Sequence, residues 1–300
     1  MTRVLLIFID GLGIGTRGRH NPLSLLDAEA SPFNLFVGEE PALPLGGVLV
    51  RTDACLGVEG RPQSASGQTT ILTGTNVPAA LGYHKQGFPN EAMREIINAN
   101  SIFLRLRRAG VEAVTFANAY TPRFFNERPR WVSATTTAVE AAGIPFRTLD
   151  DLRAGRAIYQ DFTNQLLIAS GFDVAPRTPA EAARVLAEIV AENHFTLYEY
   201  FITDRVGHAQ DEPAALTVLA NLARFVRETL ARVDLTETTV ILTSDHGNIE
   251  DLSIRNHTRN FVPTLAWGAG RETVRRGVRD LSHITPTILE VLERCAAQTA

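Results

Sequence analysis

Three short apolar runs, each closing on an aspartate, set the pattern of this chain. RVLLIFI ends at Asp10, LYEYFIT at Asp204 and TTVILTS at Asp245. Runs of this length, rich in β-branched residues and separated by helical stretches, predict strands buried on both faces of a parallel sheet. A side chain just past such a strand lies at the carboxyl edge of the sheet, where open α/β folds bind their ligands.

The rest of the pattern alternates accordingly. A further strand is predicted over 46–51, and residues 25–36 have mixed helical character with Pro32 near the start of a turn. Residues 64–74 read as a loop whose end starts a short helix stopped at Gly74, and 76–89 as a Gly- and Pro-containing loop. A helix over 91–109 closes at Gly110, and a strand follows over 111–119. Residues 179–191 and 214–233 read as amphipathic helices, 261–267 as a short strand and 287–295 as a terminal helix. Residues 134–142 look helical within a region, about 120–175, that otherwise breaks into short turns. The fold class expected is α/β, a mostly parallel central sheet with helices on both faces. Residues 1–300 are expected to form a single domain, with a small cap inserted at about 120–175.

Composition allows this and narrows the partners. At 300 residues and 45% hydrophobic the chain can bury a large core. A net charge of −4 gives no sign of nucleic-acid binding. The start is too soon interrupted by Asp10 for a signal peptide, and no apolar run approaches the ~20 residues of a membrane span. A cytoplasmic protein without membrane or nucleic-acid partners is expected, with the oligomeric state left open. Cys55 and Cys295, far apart, suggest neither a disulfide framework nor a metal knuckle.

The chemistry gathers at the strand ends. Asp10, Asp204, His208, Asp245, His246 and His257 offer mixed carboxylate and imidazole ligands, which suit Mn²⁺, Zn²⁺ or Fe²⁺ better than Ca²⁺. Six strong ligands exceed what one such ion takes from protein, so two divalent ions are expected, Mn²⁺ before Zn²⁺. Two divalent ions against three carboxylates leave a net charge of about +1, which attracts a phosphate dianion, and a metal pair can clamp an in-line displacement. A hydroxyl such as that of Ser64, ahead of a helix start, becomes a usable alkoxide when metal-bound.

Each of these residues alone has an ordinary explanation: a turn at Asp10-Gly11, a solvated helix face for Asp204 and His208, a surface loop for His257. Their joint occurrence is what points to a metal site. His84, Lys85, Asn118 and Arg123 are candidate substrate-binding residues, with Arg128 and Arg130 beside them as a cationic patch for an anionic group. Asp211 is either a ligand-orienting partner or a helix cap, and His283 reads as structural.

Together the motifs resemble the metal-dependent alkaline phosphatase superfamily, and within it the cofactor-independent phosphoglycerate mutase and phosphopentomutase branch. The resemblance rests on Ile9-Asp10-Gly11, the aspartate–three residues–histidine pattern of Asp204 and His208, Thr243 to Glu250, and Asn256 to Pro263. It implies one ion on Asp204, His208 and His257, and the other on Asp10, Ser64, Asp245 and His246. It also implies that Ser64, nine residues before Thr73-Gly74, is the nucleophile, with Ser66 and Thr69 as alternatives.

The chain departs from the mutases in two ways. It lacks their long inserted domain, and Gln68 stands where a histidine often follows the mutase glycine. A small cap encloses less, so hydrolysis of a small phosphorylated metabolite is expected ahead of a mutase reaction. Phosphodiesterase activity and a non-catalytic metal-binding role come after these. The loop has no Cys/Ser-x-Pro-x-Arg pattern, which argues against a sulfatase.

Overall fold

The computed structural model describes residues 2–26, 32 and 35–298. The helical character expected over 25–36 falls largely on residues 27–31 and 33–34, outside those described. At the centre lies β1 (Arg3–Ile9), whose Val4, Leu6 and Phe8 face one layer of helices and whose Leu5, Ile7 and Ile9 face the other, all buried. A strand apolar on both sides must sit where both faces are covered.

Six strands form the main sheet, in the order β2-β8-β7-β1-β6-β3. They are β2 (Val48–Thr52), β3 (Val114–Phe116), β6 (Phe195–Tyr200), β7 (Thr238–Ser244) and β8 (Val262–Trp267), with β1. β1 pairs in parallel with both β6 and β7, and β6 with β3. β8 alone is reversed, antiparallel to both neighbours. A two-stranded ladder, β4 (Ala119–Tyr120) with β5 (Arg147–Thr148), stands apart.

Helices complete the layers. On the side of Leu5 and Ile7 lie α9 (Pro179–Ala191) and α11 (Glu212–Leu230). On the other lie α1 (Ser64–Thr73), α3 (Glu91–Asn100), α4 (Ile102–Arg108), α6 (Ala134–Ala141) and α13 (Ile284–Gln298). Shorter helices fill the connections: α2 (Val77–Leu81), α5 (Pro122–Asn126), α7 (Leu149–Arg153), α8 (Gln165–Ala169), α10 (Ile202–Ala209) and α12 (Arg271–Gly277). Among the described residues no helix is long and apolar enough to cross a membrane.

Several local expectations are corrected. Asp204 is not at a strand end: β6 stops at Tyr200, level with Ile9, the last residue of β1. Beyond that level neither neighbour offers a ladder, so the chain turns into α10 and carries Asp204 in its first turn. The stretch at Ser64 is helical from the serine onward. Its Ser, Gly and Thr residues have modest helix propensity, and burial overrides this. Thr69, Thr70 and Thr73 bond back to the carbonyls of Ala65, Ser66 and Thr69 at 2.7, 2.8 and 2.8 Å, which satisfies their buried hydroxyls.

The loop over 76–89 contains α2, capped by Asn76. The helix over 91–109 breaks at Ser101, whose ψ of 149° is extended, letting Ile97 and Ile102 both reach the core. The strand over 111–119 shortens to β3, after which the chain leaves the main sheet for β4.

Candidate metal centre

The parallel register levels the strand ends. Ile9 pairs with both Tyr200 and Ser244, so Asp10 and Asp245 emerge side by side. Both are buried, as is His246. His246 Nε2 stands 3.1 Å from Asp10 Oδ1 and 3.6 Å from Asp245 Oδ2. Ser64 Oγ lies 2.9 Å from the same nitrogen. Gln68 Nε2 donates to Asp10 Oδ2 at 3.2 Å and to Asp245 Oδ2 at 3.3 Å. α1 gets this close because residue 67 is glycine: a Cβ there would lie 3.0 Å from Asp245 Cβ.

A second group adjoins the first. Asp204 and His208, four residues apart on α10, share one helix face. His257 arrives from the loop between β7 and β8. His208 Nε2 is 3.4 Å from Asp204 Oδ2, and His257 Nε2 is 3.5 Å from Asp204 Oδ1. The His246 and His257 rings stack with centroids 3.6 Å apart, which joins the two groups. Gly11 lets them meet: its φ is +75°, and a Cβ would fall 2.8 Å from Asp204 Cβ.

The tautomers indicate what the groups suit. His208 Nδ1 meets the Arg255 carbonyl at 2.7 Å and His257 Nδ1 the Pro62 carbonyl at 2.9 Å. A carbonyl only accepts, so each Nδ1 carries a proton, and the nitrogen each ring has left to offer a ligand is Nε2. Those two nitrogens face each other at 3.1 Å, beside the Asp204 carboxylate. Asp10 Oδ1 is buried without an aligned hydrogen bond. Imidazole nitrogens and carboxylate oxygens converging on one point suit a cation. Asp204, His208 and His257 form one such ligand group, and Asp10, Asp245 and His246 the other.

Charge crowding perturbs the first-described group. Burial, then the Asp10 charge, pushes the Asp245 carboxyl well above the usual range. Burial alone would depress His246, yet Asp245 and Asp10 outweigh it and push the imidazole up to about 10. His257 goes the other way, down to about 4, through burial and the neighbouring His246.

Residues beyond the expected set hold this arrangement. Asn248 Nδ2 donates to Asp204 Oδ1 at 2.6 Å. Glu250, fully buried, accepts from Gly13 N, Asn248 N, Thr258 Oγ1 and Asn260 Nδ2, tying the loop after β1 to the loop after β7. Its only sequence signal was an acid in the run Asp245 to Glu250. Asp211 N-caps α11 through Ala214 N, and His283 belongs to the capping turn with Asp280, so both are structural.

Asp10, Ser64 and Gln68 also line a cavity of about 540 Å³. Its remaining walls include six large rings, Phe88, Phe116, Tyr120, Phe124, Trp131 and Phe201, among smaller and polar side chains. Asn118 borders it but spends its amide on the Glu199 backbone, at 2.8 and 3.0 Å. Glu199 itself is buried at the cavity, its carboxyl pushed up to about 8 by burial and by Asp10.

His84, Lys85 and Arg123 are absent from the lining. His84 meets the Val58 carbonyl, Lys85 Nζ the Gln86 carbonyl, and Arg123 pairs with Glu127. The structure thus does not gather the expected cationic patch at the cavity. Arg128 likewise pairs with Glu140, and Arg130 lies against the Trp131 ring.

Comparison with known proteins agrees with this geometry. Residues 159–294 match the model of the Metalloenzyme superfamily. A 2,3-bisphosphoglycerate-independent phosphoglycerate mutase of Mycoplasmoides gallisepticum is 30% identical over 130 residues, 41% of this chain and 25% of that one. The corresponding mutase of Wolinella succinogenes is 27% identical over 129 residues, 40% of this chain and 26% of that one. The solved alkaline phosphatase of the Antarctic bacterium TAB5 superposes with a TM-score of 0.50 at 14% identity, covering 97% of this chain and 98% of that one.

Over residues 159–294 the chain is thus similar to the metalloenzymes of that superfamily, and over nearly its whole length it has the fold of the alkaline phosphatases. A solved protein of Pyrococcus horikoshii shares the fold with a TM-score of 0.58 at 14% identity, covering 98% of each chain. The fold of this chain is accordingly alkaline-phosphatase-like, and its two carboxylate and imidazole groups are of a kind that suits divalent metal. The matched stretches span about a quarter of the length of the curated mutases.

Proposed function

We propose that this protein is a member of the alkaline phosphatase superfamily and a phosphomonoester hydrolase acting through Ser64 with two divalent ions, Mn²⁺ before Zn²⁺. The observation that carries the reading is Ser64 Oγ at the first turn of α1, 2.9 Å from His246 Nε2 and open to a cavity it shares with Asp10. Asp10, Asp245, His246 and the Ser64 hydroxyl would hold one ion; Asp204, His208 and His257 would hold the other. The ions, when bound, supply Lewis-acid stabilisation of charge on the transferring phosphoryl group.

The chain's own residues do the rest. Ser64 Oγ attacks phosphorus as the ester P–O bond breaks, and the proton that the serine gives up ends on the departing alcohol; water then attacks the phosphoserine, the Ser64 hydroxyl is restored and inorganic phosphate departs. The start of α1 presents backbone N–H groups and the positive end of its dipole toward that phosphate. Gln68, donating to Asp10 and Asp245, holds both carboxylates toward the centre. We also propose one metalloenzyme domain over 1–300, with residues from about 120 to 175 forming a small cap beside the cavity.

A phosphomutase is the second reading, favoured by the identity of the curated relatives. One experiment separates the two: metal analysis of the purified protein, then a panel of phosphate esters scored for both free phosphate and isomeric ester. Release of phosphate with two ions per chain is expected. Isomer formation without phosphate release would make it a mutase, and full activity with no bound metal would end both readings.

A further inference from the structure

Resting on the phosphoryl-transfer reading, we infer that the substrate is a phosphate monoester of an alcohol bearing an aromatic or otherwise apolar group, with no second anionic group. Two properties of the cavity carry this.

The first is shape and surface. The polar floor of Asp10, Ser64 and Gln68 takes up one end, and rings from separate parts of the chain stand among the walls of the remaining volume. Phe88, Trp131 and Phe201 are 49%, 47% and 39% exposed, although large apolar side chains are ordinarily covered. They stand at the cavity, where an apolar ligand would cover them. A volume of about 540 Å³ exceeds what a phosphate needs and suits a small organic group beside it.

The second is charge. No arginine, lysine or histidine is among the residues lining the cavity. Beyond the metal centre, a phosphoglycerate carboxylate or a second phosphate would enter walls whose ionisable members among the described residues are Glu199, Tyr120 and Tyr159, with no basic side chain to meet it. Two guanidiniums lie against a ring of the wall and are not themselves in the lining: Arg94 and Arg130 are 5.9 and 5.1 Å from the Trp131 centroid. Arg128, 5.8 Å from the Phe124 centroid, is bound to Glu140.

The test compares three monoesters whose leaving groups are ordinary alcohols: 2-phenylethyl phosphate, ethyl phosphate and 3-phosphoglycerate, on the Mn²⁺-loaded protein. We expect kcat/KM for the phenylethyl ester to exceed that for the ethyl ester roughly tenfold or more, as a filled apolar pocket allows. 3-Phosphoglycerate should fall below both. Trp131→Ala and Phe124→Ala should each narrow the phenylethyl-to-ethyl ratio, a readout independent of the fraction of protein folded.

Binding is read separately with 2-phenylethylphosphonate, which cannot be hydrolysed, through the fluorescence of Trp131 at the cavity; Trp267 is buried elsewhere. A saturable change, lost in Trp131→Phe, supports the inference even if no ester is turned over, in which case only the phosphoryl-transfer reading fails. Equal kcat/KM for the phenylethyl and ethyl esters, preference for 3-phosphoglycerate, or no phosphonate binding overturns the inference and leaves the phosphoryl-transfer reading standing wherever any ester is hydrolysed.

Discussion

Replacing Glu250 with alanine should destabilise the protein without touching a proposed ligand. Its carboxylate accepts four hydrogen bonds: Gly13 N at 3.0 Å and Asn248 N at 2.7 Å on Oε2, Thr258 Oγ1 at 2.5 Å and Asn260 Nδ2 at 3.0 Å on Oε1. The two side-chain donors can turn to other partners after truncation, but the two backbone N–H groups are fixed by the loops. Each buried donor left unmet costs about 1–3 kcal/mol, so Glu250→Ala should lose roughly 3–5 kcal/mol. Glu250→Gln is the control. Its amide oxygen can keep both backbone donors, while its NH₂ faces Thr258 Oγ1 and Asn260, whose hydroxyl and flipped amide can accept. A loss of only about 1–2 kcal/mol is expected there. Urea denaturation at pH 7, with and without Mn²⁺, measures both. Since Glu250 joins the loops bearing Asp10 and Asp245, the stabilisation contributed by metal should also shrink in the alanine variant. An alanine variant within 1 kcal/mol of the parent, or a glutamine variant as damaged as the alanine one, would refute this account.

The remaining predictions are shorter. Ser64→Ala should lower kcat by several powers of ten while most metal is retained, whereas Ser66→Ala, whose hydroxyl bonds only backbone groups of Gln63 and Lys85, should stay within a few-fold; a phosphopeptide carrying Ser66 would reverse the assignment. Metal should compete with a proton at the Asp10, Asp245 and His246 group, because His246 is pushed up to about 10 in the metal-free protein. Affinity there should rise roughly tenfold per pH unit from pH 7 towards 10, and fall with acidification, since the raised pKa keeps the ring protonated below it. The group containing His257, held down to about 4, should show a shallower slope over that range; two equal slopes in calorimetric titrations would contradict the assignment. Asp211→Ala should cost about 1 kcal/mol as a lost helix cap and leave metal content unchanged, whereas depleted metal would make it part of the centre.

How much of this was legible in the sequence depends on whether a feature is fixed by chain position or by what folds against it. Asp10 and Asp245 follow runs that could only be buried strands, and parallel pairing brings the ends of such strands level. Asp204 was read at a strand end and lies instead on α10, yet its spacing to His208 suits a helix turn even better. The helix at Ser64 was hidden because its threonines satisfy their hydroxyls on the preceding turn, something propensity does not register. The aromatic character of the cavity wall was not legible for a related reason. Around residues 120–131 the arginines were the conspicuous chemistry and suggested an anion site, but pairing requires a partner that spacing does not reveal. Glu127 takes Arg123 and Glu140 takes Arg128, while the rings between them line the cavity. Once those two charges are paired locally, what the segment offers a ligand is its aromatic surface, and on that surface rests the proposal that the small phosphorylated metabolite expected from the sequence carries an apolar end.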